Sequence, residues 1–311
     1  MAGFGRFLLR RLLGTIVLVW ATTVAAFVLL RVGPPSASMD AQISQQLGAG
    51  QPASWQYAHY LLRLLHGNLG VSLSEGVSVD TIVRNALPPT LSLMVGGTVL
   101  WLTAGVVAGT VSALRPGSAA DRIATGGVLT GLAVPTFLLA LLLLLLWLSS
   151  RLGEAGNLWF QPGYVPFSHS PGQWLGRMIL PWIAVAAGQA AVTARLTRAG
   201  ILEVLGEDYV RTARGKGLAE RRIVWFHVLR AAILPVVSSV GVGFAAILGA
   251  AAIVDQVFAL GGLGQAFLVA AKAGDLMVIM GVTIATVILI AIVNLITDVC
   301  YALLNPQIRL T

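Results

Sequence analysis

The densest charged stretch of the chain runs from Glu207 to Pro235, EDYVRTARGKGLAERRIVWFHVLRAAILP. It carries Arg211, Arg214, Lys216, Arg221, Arg222 and Arg230, with Arg198 just upstream, so seven of the 20 Lys and Arg residues fall in or beside it. The chemistry such a stretch offers is recognition. Glu207 and Asp208 open, and Lys216 closes, a Pro-free segment whose charge order complements a helix dipole. Gly217 reads as the stop behind that helix. A second basic segment, Glu220 to Arg230, leads to Ile233-Leu234-Pro235. Together they predict a short surface helix on a bent, two-part arm. That shape suits entry into a groove on another protein and transfer of a displacement to the elements behind it.

Reaction chemistry is not legible anywhere in the chain. No GxxxxGK[ST] loop is present to cradle phosphates, and no Ser, His and Asp stand in a nucleophile-elbow or triad context. His59, His66 and His169 lie in loops without metal-ligand spacing, and His227 reads as a surface residue of the basic arm. The single Cys300, inside the last apolar run, excludes a disulfide framework and a thiol-based metal site. The expectation is therefore no catalytic residue, no cofactor and no metal held by this chain. Asn294 and Asp298 are polar groups inside an apolar run, where they are costly. They share one helical face, and either line a transport path or pair with a neighbouring helix.

The elements that position the arm are membrane helices. Only 10% of the 311 residues are charged and 57% are hydrophobic, with mean hydropathy +0.86, against about 25% charged in a soluble domain. Six runs reach the ~20 apolar residues that span a bilayer: Leu8 to Leu30, Thr90 to Leu114, Ile123 to Leu148 with Pro135 inside, Ile179 to Thr197, Ile233 to Val254, and Leu276 to Leu304. The first is too long for a signal-peptide core and is not followed by a small-residue cleavage site. Gly241, Gly243 and Gly249 predict close packing of the fifth run. With the N-terminus inside, fourteen Lys and Arg residues fall on inner segments and six on outer ones. The positive-inside rule then places both termini and the arm in the cytoplasm. The net charge of +8 reflects this topology and does not indicate nucleic acid. The expected organisation is an N-terminal helix over 1–30, an extracytoplasmic segment over 31–89, and a core domain over 90–311 whose cytoplasmic loop covers 198–232. A second outer segment, near 151–178, is rich in Gly, Pro and aromatic residues and reads as an interfacial belt and lid or as a docking surface. A third, DQVFALGGLGQAFLVAAKAGD, predicts a short helix at the interface or dipping back into the protein.

The residues DYVRTARGKGLAERRIVWFHVLRAAILP resemble the cytoplasmic EAA loop of ABC importer permeases, with Ala213 and, four residues on, Gly217 matching its core pattern. The chain is similar to the dipeptide/oligopeptide permease family, which also includes nickel permeases, along most of its length. FLLRRLLGTIVLVWATTVAAFVLLR, GNLGVSLSEGVSVDTIVRNALPPTLSL, FALGGLGQAF and NLITDVCYALLNPQIRL follow the family's order of signatures. The resemblance is to the first permease of the pair, the one with the long outer segment. It departs at Gly215, where Ala is usual, at Gly261 for Pro, at Gly274 to Met277 for Arg-Asp-Tyr-Pro, at Asn305 for Asp and at Pro34-Pro35 for Gly-Asp-Pro.

The resemblance implies an all-α polytopic membrane protein with six transmembrane helices in the type I ABC importer permease fold, resident in a prokaryotic inner membrane. It implies import of di- or oligopeptides through a pathway of which this chain forms half. A second homologous permease would form a heterodimer with it in the lipid bilayer. Two cytoplasmic ABC ATPase subunits, using ATP and Mg, would dock on Asp208, Tyr209, Arg211, Thr212, Ala213, Arg214, Lys216, Gly217 and Leu218. An extracytoplasmic substrate-binding protein would face a loop containing Phe258, Gly262, Leu263 and Gly264. Nickel or haem-like cargo is the alternative within the family. A self-powered secondary transporter is the alternative outside it, disfavoured because the spans are nearly free of charge; a scaffolding subunit is a third.

Overall fold

The computed structural model describes residues 2–32, 51–72, 74–149 and 161–304. The departures at Pro34-Pro35 and Asn305 lie outside them. The described chain is helical throughout, apart from one isolated β-bridge between Val71 and Ser78. We number the helices α1 (Ala2–Val32), α2 (Ala53–Leu65), α3 (Val79–Leu114), α4 (Ala119–Ala133), α5 (Thr136–Ser149), α6 (Pro171–Leu205) and α7 (Asp208–Gly215). The arm follows as α8 (Glu220–Ile223), a π turn (Val224–Val228) and α9 (Leu229–Ala232). Last come α10 (Leu234–Phe258), α11 (Leu263–Ala273) and α12 (Leu276–Leu304).

Five of these, α1, α3, α6, α10 and α12, are long and apolar enough to cross a membrane. The expected third span is α4 and α5, bent by 108° at Val134 and Pro135. The cause is local: Val134 is extended at φ −88 and ψ 119, the conformation forced on a residue that precedes proline. The second span differs in the other direction. Pro88-Pro89 reads as a helix boundary, yet α3 starts eleven residues before Thr90, at Val79, and carries both prolines inside it. Its start is fixed by Ser78, whose hydroxyl accepts the Thr81 N–H at 3.3 Å, an N-cap of the usual kind. At about 1.5 Å per residue, α3 and α6 each exceed the ~30 Å hydrocarbon layer, so both project beyond it.

The core is the α3–α6 pair. Gly97, Gly105 and Gly109 of α3 leave no room for a side chain: a Cβ there would lie 2.6 Å from Val185, 2.6 Å from Thr193 and 2.5 Å from the Ala194 carbonyl of α6. Small residues at such a seam let two backbones approach where lipid supplies no hydrophobic drive. Leu93, Met94 and Trp101 of α3 close with Met178 of α6 and with Phe244, Ile247 and Phe258 of α10 into one buried cluster. Two of the three α10 glycines act as expected, since Gly241 abuts Asn294 and Gly243 abuts Trp101, whereas Gly249 has open space before it.

α1 leans on α12. Ala26 and Phe27 meet Met280 and Ile284 at one end, where Tyr60 of α2 completes the cluster. Near the other end Arg11 Nε lies 3.1 Å from Asp298 Oδ2. Asp298 therefore pairs α12 with α1, the second of the two roles open to it, while Asn294 lies against Gly241 of α10. Asp298→Leu removes the acid from the pair, and Arg11→Leu removes the base. The double variant R11L/D298L is expected to express and melt closer to wild type than either single one. Equal damage in all three would refute the pairing.

Candidate functional site

Two regions at opposite ends of the helices carry the polar chemistry. At the arm end, α7 is eight residues long and has two faces. Asp208, Tyr209, Arg211, Thr212 and Arg214 are exposed, as are Lys216 and Gly217 behind them, while Leu218 is half-buried. Val210 and Ala213, three residues apart and so on one side of the helix, are 0% and 8% exposed. They enter a cluster with Ala113 of α3, Ile201 of α6, and Ile223, Val228 and Ala232 of the arm. Ala213, expected on the docking surface, is thus turned into the chain. The correction has a simple cause, because it is one of the two apolar side chains available to seat α7.

The bend behind α7 is built by Gly217 at φ +74, a left-handed conformation that costs other residues strain. Its N–H donates to the Arg214 carbonyl at 2.9 Å, and the Leu218 N–H donates to Ala213 at 3.3 Å. Arg214 grips Glu220 across the bend with two hydrogen bonds, 2.6 and 3.2 Å. That pairing raises the Arg214 pKa and lowers the Glu220 carboxyl below its ordinary range. Burial, and then the Glu207 carboxylate, hold the Tyr209 phenol above its usual value, so it stays neutral. Beyond the bend the π turn puts Ile223, Val224 and Val228 inward and leaves Trp225 and Phe226 57% and 71% exposed. α7 and the arm are therefore packed together on the ends of α3 and α6 and lead directly into α10.

At the loop end two buried carboxylates organise the connections. Asp255 Oδ1 accepts the Gly262 N–H at 2.9 Å and Oδ2 the Gln265 N–H at 2.8 Å, while Thr90 Oγ1 accepts the Leu263 N–H at 2.8 Å. The α10–α11 loop is thereby folded inward. Phe258, Gly262 and Leu263 are buried and Gly264 is half-buried, with Ala252 2.3 Å from where its Cβ would stand. These four residues, expected in a loop that faces a binding protein, form the inside of that loop; Gln256, Ala259 and Gly261 are its exposed positions. The reason is the tight carboxylate-centred turn, which sends the large apolar side chains to the core.

Asp275, 1% exposed, stands just before α12. Its Oδ2 accepts the Ser72 hydroxyl at 2.6 Å, the Ser74 hydroxyl at 2.8 Å and the Ser74 N–H at 3.1 Å, and Oδ1 accepts the Val278 N–H at 3.2 Å. Asp80 takes the Leu69 N–H at 2.8 Å. The GNLGVSLSEGVSVD segment is thus clamped across the start of α12. Between Ser74-Glu75 and α11 lies a cleft of about 280 Å³, edged by Asn85, Gly261 and Gln265. Burial pushes the Asp275 carboxyl up, but the hydrogen bonds from Ser72, Ser74 and Val278 outweigh it and hold it below its ordinary 3.8. A depressed carboxyl stabilises the fold above its unfolded pKa and loses that contribution as pH falls through the folded value. Cleavage after Glu75 by a glutamyl protease acting on acid-pulsed samples is expected to rise only for pulses below pH 3.8; cleavage independent of pulse pH would contradict the clamp. Asp255, Glu75, Asn85 and Gln265 were not singled out by sequence, and Asp275 only as part of the Gly274 to Met277 departure, although Asp255 and Asp275 are the only carboxylates of the quoted 255–275 stretch.

Long apolar helices joined by a projecting arm at one end and clamped loops at the other define a multi-pass membrane protein. The chain belongs to the family described as binding-protein-dependent transport system inner membrane component, which matches residues 105–310. It is a permease subunit of an ABC importer, a multi-pass protein of the prokaryotic plasma membrane, in a family that is not itself catalytic. It is 34% identical over 318 residues to the oligopeptide transport system permease protein AppB of Bacillus subtilis (strain 168), covering 97% of this chain and 99% of that protein. It is 32% identical to the probable peptide ABC transporter permease protein y4tP of Sinorhizobium fredii, over 98% and 99% of the two chains. Among solved structures, a chain of the MetNI methionine ABC transporter in an inward-facing conformation superposes with TM-score 0.52 at 20% identity, covering 72% of this chain and 96% of that one. That likeness places the fold in the type I importer permease class.

Proposed function

We propose that this chain forms half of a peptide-import pathway and receives the work of ATP hydrolysis through α7. The observation that carries the reading is the two-sidedness of α7: Asp208, Tyr209, Arg211, Thr212 and Lys216 form an exposed edge, with Arg214 tied back to Glu220, while Val210 and Ala213 lock the helix to α3, α6 and the arm. Two ATPase subunits, holding ATP and Mg, take that edge into a groove. Their closure moves α7, and the arm passes the movement into α6 and α10. Two states of the pathway then exchange by differential binding, as alternating access requires. The excess of Lys and Arg on the arm side supports cytoplasmic termini and a cytoplasmic arm. The cleft between Glu75 and Gln265 lies on the opposite side, where an extracytoplasmic binding protein delivers cargo. A second permease completes the pathway, and the curated relatives' peptide transport supports di- or oligopeptide cargo.

The test is uptake of a labelled peptide into vesicles holding this chain, a second permease, the ATPases and the binding protein. Uptake is expected only with ATP. Uptake driven by an ion gradient without ATPases would overturn the reading.

A further inference from the structure

The last turn of α3, the first turns of α4 and the end of α6 enclose a small cavity of about 150 Å³ that transport coupling does not explain. Its walls include Ser112, Thr125, Arg195 and Arg198. The carboxylate beside it, Asp121, is already committed: it accepts the Ser112 hydroxyl, the Gly117 N–H at 2.9 Å and the Thr125 hydroxyl at 3.3 Å. Arg198 reaches it only at 3.7 Å, beyond hydrogen-bond distance. The Arg198 Nε is buried and lacks a hydrogen-bond partner. Arg195, one turn earlier on the same helix face, is exposed and makes no hydrogen bond or ion pair among the described residues.

Two guanidinium groups thus line one cavity: Arg198 is held only by the 3.7 Å ion pair with Asp121 and keeps its Nε without a hydrogen bond, and Arg195 has no partner among the described residues. A buried donor without an acceptor is costly, and a planar guanidinium fits the oxygens of a phosphate in paired hydrogen bonds. The cavity lies where the apolar helices end, at the Ser118-capped start of α4, which is the depth of lipid headgroups. Basic pockets between membrane helices take such groups. We propose that Arg195 and Arg198 bind a phosphate group, and that its source is an anionic phospholipid whose headgroup lies between α4 and α6. Because Arg198 stands one turn from Ile201, which seats α7, the bound headgroup braces the foundation of the arm.

The test uses the full chain, stripped of lipid in detergent and offered phosphatidylglycerol, phosphatidylcholine or inorganic phosphate, with retained ligand read by native mass spectrometry. Phosphatidylglycerol is expected to be retained over phosphatidylcholine. Arg195→Gln should weaken retention about fivefold and R195Q/R198Q about 25-fold. Arg195 has no hydrogen bond or ion pair among the described residues, so R195Q should melt as wild type does, which separates binding from folding. Equal retention by wild type and both variants would overturn the site. Displacement of the lipid by an equal concentration of inorganic phosphate would overturn the lipid source and leave a free-anion site.

Discussion

Asp275→Ala is expected to lower the stability of the extracted protein by about 3–5 kcal/mol and to free the outer segment around Ser74. The carboxylate accepts four hydrogen bonds at a site 1% exposed to solvent. Its removal leaves the Ser74 and Val278 N–H groups and at least one of the Ser72 and Ser74 hydroxyls, which lie 3.3 Å apart, without acceptors, each costing about 1–3 kcal/mol if it stays buried. The costs do not add fully, because the freed loop can swing into water. Asp275→Asn keeps one acceptor oxygen but turns an NH₂ toward donors, so roughly half the loss is expected. Thermal unfolding in detergent gives the magnitude, and glutamyl-protease cleavage after Glu75 gives the place. A D275A protein that melts normally and protects Glu75 would show that other contacts hold the segment.

The second large effect concerns docking. Y209A/R211A is expected to cut affinity for the ATPase subunits by about 1,000-fold, while insertion and melting stay near wild type. Tyr209 is 46% exposed, and Arg211 is tied only to exposed Asp208 at 3.7 Å, so little folding energy depends on either. Buried aromatic and arginine anchors each contribute about 2 kcal/mol or more at interfaces, and two such losses give the factor. Ala213→Glu should behave differently. It drives a charge into the cluster with Ile201 and Ile223, so the arm itself should loosen before any partner is lost. Affinity measured by titrating ATPase onto the chain in lipid nanodiscs distinguishes the cases. Unchanged binding in Y209A/R211A would remove α7 from the docking surface.

The spans and the arm were legible because each rests on local pattern: apolar runs of bilayer length, and a charge-ordered segment closed by Gly217. The expected helix from Tyr209 to Lys216 and the observed Asp208–Gly215 differ by one residue. The inward face of α7 was also readable, since Val210 and Ala213 are its apolar side chains. Long-range contacts were not. Asp275 and Ser72 are 203 residues apart in sequence, and neither a period nor a spacing announces their bond. Pro88-Pro89 misled for a related reason: their local helix-breaking cost, about 3 kcal/mol or more each, is outweighed by packing of α3 on α6 and α10. Pro135, with less around it, does break its helix. The sequence around 258–264 reads as a loop but does not tell which of its residues are buried, because Asp255 draws Gly262 and Gln265 inward through contacts with no sequence signature.

The most direct test of the account is purification of the tagged chain from its own membranes in mild detergent, followed by identification of what accompanies it. A second permease and ABC ATPases in fixed proportion, lost when Tyr209 and Arg211 are replaced by Ala, is the predicted result. This chain alone, catalysing uptake in vesicles without ATP, would contradict it.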